Sequence, residues 1–296
     1  MKYCIMLIFL VQSFLVYSQK TDSLSKQDGQ SSTRFSLRQS FQLVSRNDEP
    51  AYINLTRPDK GLNSMNFGVA LGYDLSKNDQ LFDVNLFLES QVNTLVAQKQ
   101  NTFMAGIVAQ GYHKDMAKNG LNWSPYSISK LNYKEDAVHG TNGFQASYYI
   151  TVLFNKCKKD FCLLPGGVSS GAILEFSYNP YLGFEYEYRG GGSDFSGTTT
   201  RAYFRITTTF NLFPKLLNRR LEIIPDWSLR NNIRNTSSAE DLRSDYFKLS
   251  FNIVLVQKER SGFADVKLGY DIIDGSDPSK GINNQKYNAL NLKIRF

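Results

Sequence analysis

Few residues in this chain combine the type and the spacing that chemistry requires. His139 and Thr141 stand two apart in Val138-His139-Gly140-Thr141-Asn142-Gly143. An imidazole can act as general base for a nearby hydroxyl, and alternate positions on a strand place both side chains on one face. Asn142-Gly143 is also an ordinary turn signal, so the same string reads as a loop–strand junction. His113, the other histidine, reads as a turn or interfacial residue. Cys157 and Cys162 enclose a short Lys-Lys-Asp-Phe stretch. In an oxidising compartment a pair this close reads as a disulfide clipping one turn. A metal site needs further Cys or His beside them, and the sequence offers none there. It also has no HExxH, EF-hand loop or nucleotide motif, and Gly190-Gly191-Gly192 sits in a polar stretch with no helix following to cradle phosphate. Neither a metal nor a cofactor is expected.

The remaining candidates are ionisable residues spread along the chain. The 296 residues hold 34 Lys+Arg against 27 Asp+Glu, a formal net charge of +7, and are 42% hydrophobic and 14% aromatic. That composition excludes disorder, collagen, a disulfide miniprotein and a coiled coil. No uncharged apolar run of about 18 residues follows the first twenty positions, which excludes a helical membrane protein. The positive charge is dispersed, so contact with anionic lipid headgroups fits it better than nucleic acid does.

Period two dominates the elements that must position these residues. Phe247, Leu249, Phe251 and Ile253 alternate with Lys248, Ser250 and Asn252. Ala202, Phe204, Ile206 and Phe210 alternate in the same way with Arg201, Tyr203 and Arg205. Each segment reads as a strand with one apolar and one polar face. About twelve such segments occur, near 34–45, 64–75, 81–96, 101–113, 125–134, 143–155, 171–188, 199–212, 220–234, 244–257, 262–273 and 286–296. The one at 125–134 is the weakest, and Asn179-Pro180 interrupts 171–188. Soluble strands average about five or six residues, whereas a tilted strand crossing a bilayer needs about nine to eleven. In hydrocarbon every backbone polar group must be paired internally, so a spanning sheet must close. The expected fold is therefore all-β: a transmembrane antiparallel β-barrel of about 12 strands.

Met1–Ser18 reads as a secretory signal peptide, with a charged start, an apolar core and a small-residue cleavage site. Residues 19–33 read as a flexible polar tail and 34–296 as the barrel. Short links such as 76–80 and 258–261 alternate with longer polar ones at 46–63, 135–142, 189–198, 235–243 and 274–285. Short periplasmic turns and longer external loops would give that pattern, which the short link at 97–100 and the long one at 155–170 break. The apolar row through Phe67, Leu71, Phe204, Phe210, Phe251 and Leu268 is expected to face lipid. Tyr73, Tyr188, Trp227 and Tyr270 are expected in aromatic girdles at strand ends. Asp83, Asn85, Glu89, Arg201, Arg205, Glu222, Asp226, Lys248, Asp265, Lys267, Lys293 and Arg295 then face the lumen.

Two resemblances add to this reading. Leu290, Leu292, Ile294 and terminal Phe296 form an alternate apolar row. It resembles the C-terminal signal of Gram-negative outer-membrane β-barrel proteins, which implies an outer-membrane location and recognition of Phe296 by the barrel-assembly machinery. The string at 138–143 resembles the His-x-Ser-Asn motif of outer-membrane phospholipase A, itself a twelve-strand barrel. That resemblance implies His139 as base and Thr141 as nucleophile, with Thr standing where the motif has Ser and no downstream polar partner in evidence. The expected function is a narrow, porin-like channel or binding barrel for small polar solutes. A non-conducting structural or accessory barrel, whose loops meet other envelope proteins, is the alternative. An acyl hydrolase is a third reading.

Overall fold

The computed structural model describes residues 35–38, 40, 51–56, 64–76, 82–94, 99–113, 121–154, 164–191, 194–237, 242–257, 265–280 and 282–295. The leader at 1–18, the tail at 19–33, Cys157, Cys162 and Phe296 lie outside these residues.

The strands in chain order are β1 (Phe35–Arg38), β2 (Ala51–Thr56), β3 (Ser64–Asp74), β4 (Phe82–Asn93), β5 (Gln100–Tyr112), β6 (Trp123–Asp136) and β7 (Thr141–Phe154). They continue with β8 (Ser169–Ser170), β9 (Leu174–Gly190), β10 (Gly197–Leu212), β11 (Leu221–Asn235), β12 (Arg243–Val256), β13 (Asp265–Asp277) and β14 (Ile282–Arg295). Every pairing is antiparallel between neighbours, and β3 joins β4 on one side and β2 on the other. Because β2 also pairs with β14, twelve strand positions close into a barrel. The first position is shared: β1 lies opposite Ala70–Tyr73 and β2 opposite Ser64–Gly68 of the same strand. The single strand expected at 34–45 is thus only four residues long, and β2 falls inside the expected link at 46–63.

From β3 onward the ring strands run from 11 to 17 residues. The polar stretches expected as long loops are in part strand: 135–142 shortens to 137–140, 189–198 to 191–196 and 274–285 to 278–281, while 235–243 stays a connection at 236–242. Ladder hydrogen bonds weaken in water but still form there, so a strand can leave an apolar layer without ending; it loses only its apolar face. Link length runs opposite to the expected pattern: 75–81, 113–122, 213–220 and 257–264, at the end where β13 starts and β14 finishes, are as long as or longer than 94–99, 137–140, 191–196, 236–242 and 278–281 at the other. Because strands outrun the apolar layer, Trp227 and Tyr270 fall in the middle of β11 and β13, although Tyr73 and Tyr188 do lie toward strand ends.

The weak segment at 125–134 is the fourteen-residue β6. Pro180 does not interrupt β9, because it pairs with Ile206 of β10. Proline lacks the N–H that a second neighbour would need. Accordingly, pairing with β7 stops at Leu182, and the 164–170 segment takes over the lower edge of β9. There the Gly166 amide donates to the Tyr178 carbonyl at 2.9 Å.

Burial alternates along most of the long strands, apart from buried runs at 66–68 in β3 and 126–128 in β6. Leu182, Phe184, Tyr186 and Tyr188 are exposed on the outside of β9, while Glu185 and Glu187 between them are buried. Phe204, Phe210, Phe251 and Leu268 lie on this outward row; Phe67 and Leu71 share its parity, with Phe67 almost covered. The interior is not uniformly polar, as a simple two-face reading implies. Phe87, Met104, Ile128, Tyr149, Leu153 and Tyr203 pack into one buried cluster inside the β3–β10 half.

Candidate functional site

The lumen holds the densest set of charged side chains, and the pleat explains how they meet. Inward residues of neighbouring strands stand side by side, close enough for long side chains to pair. Glu187 of β9 is the hub of the upper layer. Its Oε1 accepts from Lys134 Nζ of β6 at 3.1 Å and from Gln145 Nε2 of β7 at 2.9 Å. Its Oε2 accepts from Arg201 Nη2 of β10 at 2.7 Å, and both side chains of that pair are 1% exposed.

Two residues away, at the next inward position of β9, Glu185 accepts from the Tyr149 hydroxyl at 2.8 Å and from Arg230 Nε at 2.9 Å. Arg230 also reaches Asp277 at 3.0 Å and lies 4.6 Å over the Tyr203 ring. Arg205 grips Asp226 with two nitrogens, at 2.6 and 2.5 Å, a fork-to-fork geometry that suits guanidinium and carboxylate. On the opposite wall, Asp271 accepts from Lys293 at 2.7 Å and has Lys248 at 3.8 Å. Gly269 makes this possible: a Cβ there would stand 2.6 Å from Lys293 Cε. Lys267 pairs with Glu222 at 2.7 Å.

Of the residues expected to face the lumen, Asn85, Glu89, Arg201, Arg205, Asp226, Lys248, Asp265 and Lys293 are buried. Glu222 and Lys267 are partly buried in their mutual ion pair. Asp83 shares the inward parity but stands at the start of β4, exposed at the rim. Arg295 stands opposite Asp265 in the β13–β14 register. Sequence reasoning missed Lys134, Glu185, Glu187 and Asp277. The first three obey the same alternation, with Glu185 and Glu187 interleaved among Phe184, Tyr186 and Tyr188.

The β13–β14 connection had no such signal. A single 3-10 turn, Pro278–Lys280, folds into the barrel instead of away from it, burying Ser279 and Lys280. Its backbone carbonyls are held by the far wall. Lys134 Nζ donates to Pro278 at 2.6 Å, Gln100 Nε2 to Lys280 at 2.7 Å and Thr102 Oγ1 to Lys280 at 3.1 Å. The turn therefore bridges the lumen.

His139 and Thr141 separate. His139 lies on the β6–β7 turn, its Nδ1 2.8 Å from Asp136 Oδ2 and its ring 4.0 Å from that of Phe195. Asp136 also accepts from the Val138 and His139 amides, so this carboxylate closes the turn. Thr141 begins β7 on the inward row and is buried. The shared strand face expected for base and nucleophile is absent, because His139 precedes the strand. Among the described residues no group of three His, Cys, Asp or Glu could hold a metal ion.

A closed antiparallel barrel with an apolar exterior and a charged, buried interior is an outer-membrane-type β-barrel fold. No protein-family model matches the sequence, and no curated protein sequence does. Among solved structures, the transport unit of the autotransporter AIDA-I from Escherichia coli aligns over 96% of this chain and 96% of its own, at 12% identity and a TM-score of 0.44.

Proposed function

We propose that the chain spans the bacterial outer membrane as a barrel whose lumen is held shut, and that it serves as a structural or accessory barrel rather than as an open solute channel. The observation that carries this reading is the Pro278–Lys280 turn, tied by its carbonyls across a lumen in which Glu187, Glu185, Asp226 and Asp271 already hold cations. Outer-membrane lipid meets the outward apolar row, and the loops are left to contact other envelope proteins. Removal of residues 1–18 and recognition of Phe296 by the assembly machinery belong to the same proposal. The test is planar-bilayer conductance of the refolded protein, with folding checked by heat-modifiable electrophoretic mobility. A folded, silent barrel supports the proposal, and discrete conductance steps overturn it.

A further inference from the structure

We infer that the β13–β14 turn is the removable part of this closure and that the layer it covers selects small anions; the inference rests on the membrane-spanning reading above. The turn is held by polar contacts, each of which water can replace when it leaves. Gln100, Thr102 and Lys134 grip backbone carbonyls, and Arg230 Nη2 donates to Ser279 Oγ at 3.2 Å. Apolar packing of comparable extent would have to be exposed, but no residue of the turn belongs to the buried apolar cluster.

The hairpin also bends where such a movement needs it. Its register shifts between Gly275 and Asp277, and Gly275 takes a φ of 108°. A Cβ at Gly275 would stand 2.0 Å from the Asp245 carbonyl, so only glycine fits this bend.

Withdrawal of the turn removes one charge of each sign, Asp277 and Lys280. Arg230 then keeps only Glu185, while Lys134 and Arg201 share Glu187. Lys130 is buried in the same region with no hydrogen-bond partner for its Nζ, which lies 5.4 Å from the Tyr149 ring centroid. Glu89, the other carboxylate facing this layer, is occupied by Ser40 at 2.5 Å and Gln91 at 3.1 Å. With Arg189 beside Glu187 and the Arg205–Asp226 pair counted, six cations then face four carboxylates, an arrangement that attracts anions into a low-dielectric constriction.

The test replaces Asp277–Lys280 with the two-residue turn Asn-Gly, which takes Asp277 away with the turn, and measures conductance and reversal potential in a tenfold KCl gradient. A second variant, Gln100→Ala with Thr102→Ala, loosens the turn at unchanged chain length. Steps from either variant with several-fold preference for chloride, reduced by adding Arg230→Gln, are expected. An inserted, heat-modifiable shortened-turn barrel that stays silent, or that prefers potassium, overturns the inference alone. Wild-type protein that fails to insert into vesicles overturns the membrane-spanning reading and the inference with it.

Discussion

The barrel closes by two different means. Along β9 and β10, sixteen consecutive residue pairs run without a shift from Gly197↔Arg189 to Leu212↔Leu174. At the seam, β14 and β2 share three pairs, β2 and β3 share five, and β1 adds four more. Side chains inside the lumen compensate there. The Tyr52 hydroxyl donates to Asn66 Oδ1 at 3.0 Å, and Asn66 Nδ2 donates to the Tyr287 hydroxyl at 3.2 Å. Ser40, just past β1, is anchored to Glu89 on the next wall. A continuous ladder needs no particular side chains, so the β9–β10 wall can devote its inward residues to ion pairs. The seam cannot, and its inward residues hold the strands together.

The largest effect should come from the strong wall. Glu187→Ala leaves Lys134 and Arg201 buried without their shared carboxylate, which should cost about 3–5 kcal/mol. Urea unfolding of the refolded barrel in vesicles measures it. A loss under about 1 kcal/mol, the range of exposed pairs, would mean that this network is hydrated.

Gly269→Val sharpens the comparison from the opposite wall. The added carbons meet Lys293 Cε and Nζ, within 2.6 and 2.8 Å of the Cβ position, and push the lysine off Asp271. Overpacking of this kind typically costs about 1–3 kcal/mol, read in the same unfolding experiment. Tyr287→Phe removes one part-buried hydrogen bond, worth about 1 kcal/mol. Its signature is local: amide exchange should quicken in β2 and β3 and stay unchanged in β10, and uniform acceleration would refute the division into wall and seam. The smallest effect is expected at Arg243→Ala, whose partner Asp245 is half exposed. There the loss should stay below about 1 kcal/mol, because solvent screens the pair.

The parts of the molecule that were legible in the sequence are those governed by local geometry. Lys248, Ser250 and Asn252 alternate with Phe247, Leu249 and Phe251, and the pleat alone assigns them to opposite faces. The same rule reaches Glu185 and Glu187, which alternate with Phe184, Tyr186 and Tyr188 beyond Asn179-Pro180. Strand ends were not legible. The apolar signal stops at the edge of the apolar band, whereas the ladder continues to Asp136, Gly190 and Asp277. Inward apolar residues such as Phe87 and Ile128 were hidden too, because alternation cannot tell a filled interior from a polar one.

By itself, then, the sequence determined an all-β chain of long two-faced strands, and the need to pair every backbone group made closure the consistent outcome. Which carboxylate meets which cation was decided only in three dimensions. Arg230 finds Glu185 and Asp277 through register and curvature, which no local pattern encodes. The inward turn at Pro278–Lys280 belongs to the same class: the donors to its carbonyls lie 134 to 180 positions away, and only the closed wall brings them there.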